Sequence, residues 1–125
     1  MSSEEPIKEI FKKGWDKDTC YPALRKKWRN SSPEVGQCAI TALIVHDIYG
    51  GEIAYNKIKN HFWNKLPSGK FVDLTKGQFS NPGNLKPDLF IERSEILNSK
   101  AAKLFETKNR YNLLKRRVAK ELKLL

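Results

Sequence analysis

The run Cys38-Ala-Ile-Thr-Ala-Leu-Ile-Val-His-Asp-Ile-Tyr49 constrains this chain more than any other stretch. Between Ala39 and Val45 only Thr41 is polar, and a helix that is apolar on nearly every side has to be buried. Asn30-Ser-Ser-Pro33 supplies a loop and cap before it, and Gly50-Gly51 ends it. The fold must therefore wrap other elements around this helix. His46 and Asp47 lie near its C-terminus, where the helix dipole favours a histidinium, so His46 is read as structural or exposed.

On the N-terminal side, Ser3 is a suitable N-cap, followed by Glu4, Glu5 and Pro6 in a first turn. Ile7, Ile10 and Phe11 form an i, i+3, i+4 stripe that stops at Gly14. A second amphipathic helix is expected after Asp18-Thr19, with Cys20, Leu24 and Trp28 on its inner face. Cys20 then reads as a small core residue.

On the C-terminal side, Gly51 to Lys59 reads as a strand with Ile53 and Tyr55 on one face. Lys59-Asn60 turns it back into His61–Leu66, and a second hairpin returns Lys70–Thr75. Residues 80–90 (SNPGNLKPDLF) read as a surface loop. Ser94 can cap a short helix through Leu97. A long amphipathic helix is expected from about Ala101 towards Lys123, with Leu104, Tyr111, Leu114, Val118, Leu122 and Leu125 as its seam. The expected fold is α+β and one domain over 1–125. N-terminal helices, a central buried helix on a three-stranded antiparallel sheet, and a long C-terminal helix make it up.

With 39% apolar residues the chain can build a core, and no apolar run is long enough to span a membrane. MSSEEPIKEI lacks the basic and apolar regions of a signal peptide, so a cytoplasmic protein with reduced Cys20 and Cys38 is expected. Two cysteines and two histidines are too few for a cysteine-rich zinc site, and no cofactor is expected. From Lys100 onward nine basic residues meet only Glu106 and Glu121, so this segment carries +7 of the net +10. Such a face can bind an anionic partner, but a solvated helix face has the same composition.

Thiol chemistry needs an activated thiol, a base beside it and a group that orients the base. Cys38, His61 and Asp73 occur in the order that supplies all three. Cys38 falls in the first turn of its helix, where free amides and the dipole favour a thiolate and can donate to an oxyanion. Gln37 could add a side-chain donor. Whether His61 and Asp73 meet depends on the turn between them. A three-residue loop Pro67-Ser68-Gly69 pairs Leu66 with Lys70 and puts His61, Trp63, Asp73 and Thr75 on one face. Asp73 is then diagonal to His61 at roughly 7 Å between backbones and can accept from Nδ1–H, leaving Nε2 for Cys38. A two-residue turn at Ser68-Gly69 instead separates the pair onto opposite faces. A buried histidine bonded to a carboxylate for structure, with an inert cysteine elsewhere, is the competing reading.

The order of a helix cysteine, His-x-Trp-Asn on one strand and Asp on the next resembles the core of transglutaminase-like and papain-like thiol enzymes. More closely, GQCAITALIVHDIYGGEI, HFWN, DLTKGQF and RYNLLKRRV resemble the YunG-like family of small bacterial and archaeal proteins, over about Gly36 to Val118. The second resemblance brings no activity with it. The first implies Cys38 as nucleophile, His61 as general base and acid, and Asp73 as the orienting group. Papain-like enzymes place their oxyanion glutamine several residues upstream of the cysteine, whereas Gln37 is adjacent. The leading expectation is a thiol-dependent hydrolase or acyl transferase acting on a peptide or acyl substrate. The alternative is a non-catalytic module whose basic C-terminal helix binds nucleic acid or an acidic protein.

Overall fold

A computed structural model describes residues 4–76 and 85–123 of the chain. Helix α1 spans Glu4–Gly14 and buries Ile7, Ile10 and Phe11, the expected stripe; Ser3 lies outside the described residues. Gly14 does more than stop this helix. A Cβ there would sit 2.7 Å from Leu114 Cδ1, so the glycine lets the end of α1 touch the C-terminal helix. Arg117 ties the same junction, donating to the Gly14 carbonyl at 2.8 Å and pairing with Asp16 at 2.9 Å.

The second amphipathic helix is absent. In its place Pro22–Lys27 forms a short 3-10 helix with no buried residue of its own. Tyr21, the residue before Pro22, is pushed out of the helical region to φ −52°, ψ 125°, and Trp28 is already extended at φ −65°, ψ 137°, so the helix is bounded on both sides. Cys20 and Trp28 are buried as expected, while Leu24 is only half-buried. The chain delivers both to the core by winding through a loop, with Trp28 Nε1 donating to the Pro33 carbonyl at 3.0 Å.

Helix α2 spans Cys38–Tyr49 and buries Ile40 to Val45 without a break. It packs on a sheet of β1 (Glu52–Asn56), β2 (His61–Lys65), β3 (Phe71–Val72) and β4 (Leu89–Ile91) in the order β3-β2-β1-β4. All neighbours are antiparallel. The sheet thus has four strands where three were expected. The fourth lies in the stretch assigned to a loop, and at three residues it is too short to show an alternating pattern. Asp88 secures it, accepting from Lys57 N through Oδ2 and donating its own N–H to the Tyr55 carbonyl at 2.8 Å. Residues 85–88 precede it without regular structure. β1 ends at Asn56, earlier than expected, because a turn over residues 57–60 restores pairing at Asn56↔His61.

The C-terminal region divides into α3 (Arg93–Asn98), α4 (Lys100–Leu104) and α5 (Thr107–Lys123). The single long helix expected there is broken at Phe105-Glu106, where Glu106 adopts φ 56°. Ser99 caps α4, its Oγ accepting from Ala102 N at 3.0 Å; Ser94 makes no cap for α3, which begins at Arg93. The buried seam of α5 is Thr107, Arg110, Tyr111, Leu114 and Val118. Leu104 and Leu122 are exposed, and Leu125 is outside the described residues. Tyr111 donates to Asp47, and Arg93 bridges Leu43 O, His46 Nδ1 and Tyr111 Oη. His46 is therefore structural, and α5 is locked to the C-terminal end of α2. Among the described residues no helix is long and apolar enough to cross a membrane.

Candidate active site

Cys38 is the first residue of α2 and is half-buried. Gly36 sets its approach. At φ +74° it turns the chain into the helix, and a Cβ there would meet Cys20 Sγ at 2.5 Å and Tyr21 N at 2.9 Å. The Gly36 carbonyl also accepts from Tyr21 N at 2.8 Å, so the segment leading to Cys38 lies flat against the Cys20–Tyr21 backbone.

His61 opens β2 across from Cys38, whose Sγ is 3.9 Å from the Asn60 carbonyl. The hairpin adopts the three-residue loop. Leu66 N donates to the Lys70 carbonyl and Gly69 N to the Leu66 carbonyl, both at 2.8 Å, with Gly69 at φ +92°. Asn64 pairs with Val72 and Lys65 with Phe71, the register that brings Asp73 to the His61 side. His61 Nε2 donates to Asp73 Oδ2 at 2.7 Å.

One detail differs from expectation. Asp73 takes Nε2 rather than Nδ1, so Nδ1 is the ring nitrogen left to face the sulfur. The ring is held in this orientation by stacking on Trp63, with centroids 5.5 Å apart and planes inclined 19°. His61 is fully buried. That burial opposes protonation, but hydrogen bonds to Asp73 and to the Cys38 side chain, with the charges of both partners, outweigh it and raise the His61 pKa to about 9.

Gln37 is fully buried, and its Nε2 donates to the Asp16 carbonyl at 3.1 Å. The amide expected to serve an oxyanion is thus engaged with a backbone carbonyl, and its Oε1 has no hydrogen-bond partner among the described residues.

Three residues of the site have no role assigned from sequence, although the hairpin register already places Trp63 and Thr75 on the face of His61 and Asp73. Thr75 supports Asp73, with its N–H at 3.1 Å and its hydroxyl at 3.3 Å from Oδ1, so both carboxylate oxygens are occupied. The Asp-x-Thr spacing is the available signal, because an Asp readily bonds the backbone two residues on. Trp63, within the HFWN motif, stacks on the histidine. Arg110 is 4% exposed although it was counted with the basic tail; it stands one turn before Leu114 and two before Val118, on the buried seam.

Cys38 forms part of the wall of a cleft of about 950 Å³. Helix α2, the β1–β2 hairpin, the segment from Ile91 to Phe105 and Arg110 of α5 enclose it. Its lining is largely apolar, with Tyr55 and Phe62 packed ring to ring at 4.6 Å. Among the described residues no three His, Cys, Asp or Glu side chains cluster as metal ligands.

The family model described as YunG protein matches residues 3–123. A relative named "Uncharacterized protein YunG" from Bacillus subtilis (strain 168) is 34% identical over 80 residues, 62% of this chain and 64% of the relative. The matched segment thus spans less than two thirds of that relative's length. No solved structure matches the chain.

Proposed function

The chain belongs to the YunG family, and from that membership and the Cys38–His61–Asp73 geometry we propose a thiol-dependent hydrolase or acyl transferase acting on an amide, isopeptide or thioester bond. The observation that carries this reading is one continuous line of contacts. Asp73 holds His61 Nε2 at 2.7 Å, and His61 hydrogen-bonds the Cys38 side chain at the wall of an apolar cleft. The order of the three residues, which resembles transglutaminase-like and papain-like thiol enzymes, supports it.

In the resting site a protonated His61 faces the Cys38 sulfur. The thiolate attacks the carbonyl carbon, an S–C bond forms, and charge develops on the carbonyl oxygen. Backbone amides at the start of α2 have no intrahelical acceptor and supply donors for it. The tetrahedral adduct collapses, the bond to the leaving nitrogen or sulfur breaks, and His61 gives its proton to the leaving group. Neutral His61 then takes a proton from water, or from an acceptor amine or thiol, as it attacks the thioester. Cys38 leaves and the imidazolium is restored. Asp73 keeps the ring in one tautomer throughout. Chemistry that depends on a reduced thiol suits a cytoplasmic compartment.

An activated ester such as p-nitrophenyl acetate tests the reading directly. The wild-type protein should release a stoichiometric burst of p-nitrophenol and carry the acetyl group on Cys38. Cys38→Ala should abolish the burst, and His61→Ala should slow it by roughly 10²–10⁴-fold. Equal acylation rates in wild type and His61→Ala would sink the proposal.

The competing reading, an anion-binding module, rests on the exposed Lys108, Arg116, Lys120 and Lys123 of α5. The other α5 cations, Arg110, Lys115 and Arg117, are engaged within the fold. Salt-dependent nucleic-acid binding that survives Cys38→Ala would favour this second reading.

A further inference from the structure

We propose that Arg110 is a substrate-binding residue, and that the cleft takes an apolar acyl amino acid unit bearing a free carboxylate, which Arg110 receives. The inference rests on the thiol-enzyme reading above and names its substrate class.

Arg110 lies on the cleft wall with Cys38. Its side chain is almost wholly buried, yet among the described residues no carboxylate pairs with it; the nearby Glu106 pairs with Arg25 instead. Neutral groups hold it. Nε donates to the Phe105 carbonyl at 3.0 Å, Nη1 to the Thr19 carbonyl at 3.1 Å, and Nη2 to Thr107 Oγ1 at 3.4 Å. A guanidinium has five N–H groups, so one on each terminal nitrogen remains, the pair that can grip a carboxylate. Burial is the main influence on the Arg110 pKa and pushes it down.

A residue needed only to tie Thr19 to Phe105 would not have to be charged. A buried cation that no carboxylate pairs is costly, and an incoming carboxylate lowers that cost. The rest of the wall selects the ligand's body. Tyr21, Val35, Phe62, Ile91, Ile96 and Phe105 offer apolar surface, and the volume of about 950 Å³ accommodates a leucine-sized side chain. The cleft's other cation, Lys59, is exposed and stands in water, where its pull on an anion is weak.

Paired alkylating probes read the charge preference. N-iodoacetyl-leucine and N-iodoacetyl-leucinamide react alike with Cys38: the S–C bond forms, the C–I bond breaks and iodide leaves. The carboxylate probe should label wild-type Cys38 roughly ten- to a hundredfold faster, the range set by one charge-assisted hydrogen bond. Arg110→Gln should bring the ratio near one, Arg110→Lys should keep part of it, and Lys59→Gln should leave it intact. Equal rates in wild type, or a preference unchanged in Arg110→Gln, would overturn the assignment. Slow labelling by both probes would instead count against the thiol-enzyme reading. Binding of N-acetyl-leucine to Cys38→Ser, followed by NMR, then decides the Arg110 site alone: N-acetyl-leucine should bind and N-acetyl-leucinamide should not, and equal binding of the two would refute it. If Ala-Ala-Leu also binds, the carboxylate belongs to a peptide end; if it does not, to a free acyl amino acid.

Discussion

A histidine ring with no exposed surface stays charged only if its partners return more than burial removes. For His61 those partners are Asp73 and Cys38, and Asp73 is itself held by two bonds from Thr75. Asp73→Asn keeps the size and removes the charge, so the His61 midpoint, followed by NMR, should fall well below about 9. Cys38 alkylation at neutral pH should slow with it. An unaltered midpoint in a folded Asp73→Asn protein would remove Asp73 from the site. The sign for stability follows from the raised pKa. The contribution of the pair is complete below the unfolded value of 6.5 and is lost as pH rises through about 9. Urea melts of wild type should therefore show stability declining across that window, and Asp73→Asn should flatten the decline. The two thiols should also separate. Cys20 is fully buried and burial pushes its pKa up, against the pull of Arg110 and Arg25, whereas Cys38 is half-exposed at the cleft. Peptide mapping after limited alkylation should find label on Cys38 first; faster labelling of Cys20 in the folded protein would reverse the assignment.

Between β2 and β3, loop length rather than side-chain chemistry decides whether a triad exists. Leu66 and Lys70 pair around Pro67-Ser68-Gly69, and a change of one residue there would turn Asp73 to the other face. β2 itself is covered on both faces, since the neighbours Trp63 and Asn64 point oppositely and are both buried. Asn64 is not a bystander on its face: Nδ2 donates to the Ala42 carbonyl of α2 at 2.9 Å. Asn64→Ala removes that bond from a buried carbonyl and should cost about 1–3 kcal/mol in denaturant melts. The pH profile of Cys38 labelling should stay nearly unchanged, because the His61–Asp73 contact lies on the other face. A shifted profile would mean that the helix–strand clamp, and not Asp73 alone, sets the geometry of the site.

Helix α5 joins the molecule together, contacting α1 and α2 while lending Arg110 to the cleft. Tyr111, Leu114 and Val118 are buried, at on the order of 1.5–3 kcal/mol each for the aliphatic pair and at least as much for the ring. Against a net stability of about 5–15 kcal/mol, removing the chain from Tyr111 onward should unfold the protein. A truncated form with unchanged near-UV dichroism and melting would make this helix an appendage. The elements that could be read in advance were those with local causes. Periodicity marked α1, uninterrupted apolarity marked α2, and the φ demands of Pro67 and Gly69 set the hairpin that carries Asp73. Elements decided by partners distant in sequence were not legible. β4 is a strand because β1 offers it an edge, and the long C-terminal helix breaks at Glu106 where Phe105 turns into the cleft. The seam including Arg110 differs from the expected leucine stripe for the same reason. The sequence by itself determined the α+β class and the central helix, and it favoured the three-residue loop whose register joins His61 to Asp73, because patterning and turn preference act over a few residues. Only the tertiary structure decided which histidine nitrogen meets Asp73, that Gln37 is engaged by Asp16, and that Arg110 is drawn out of water, because those depend on how separate elements pack, across 12, 21 and 91 residues of chain.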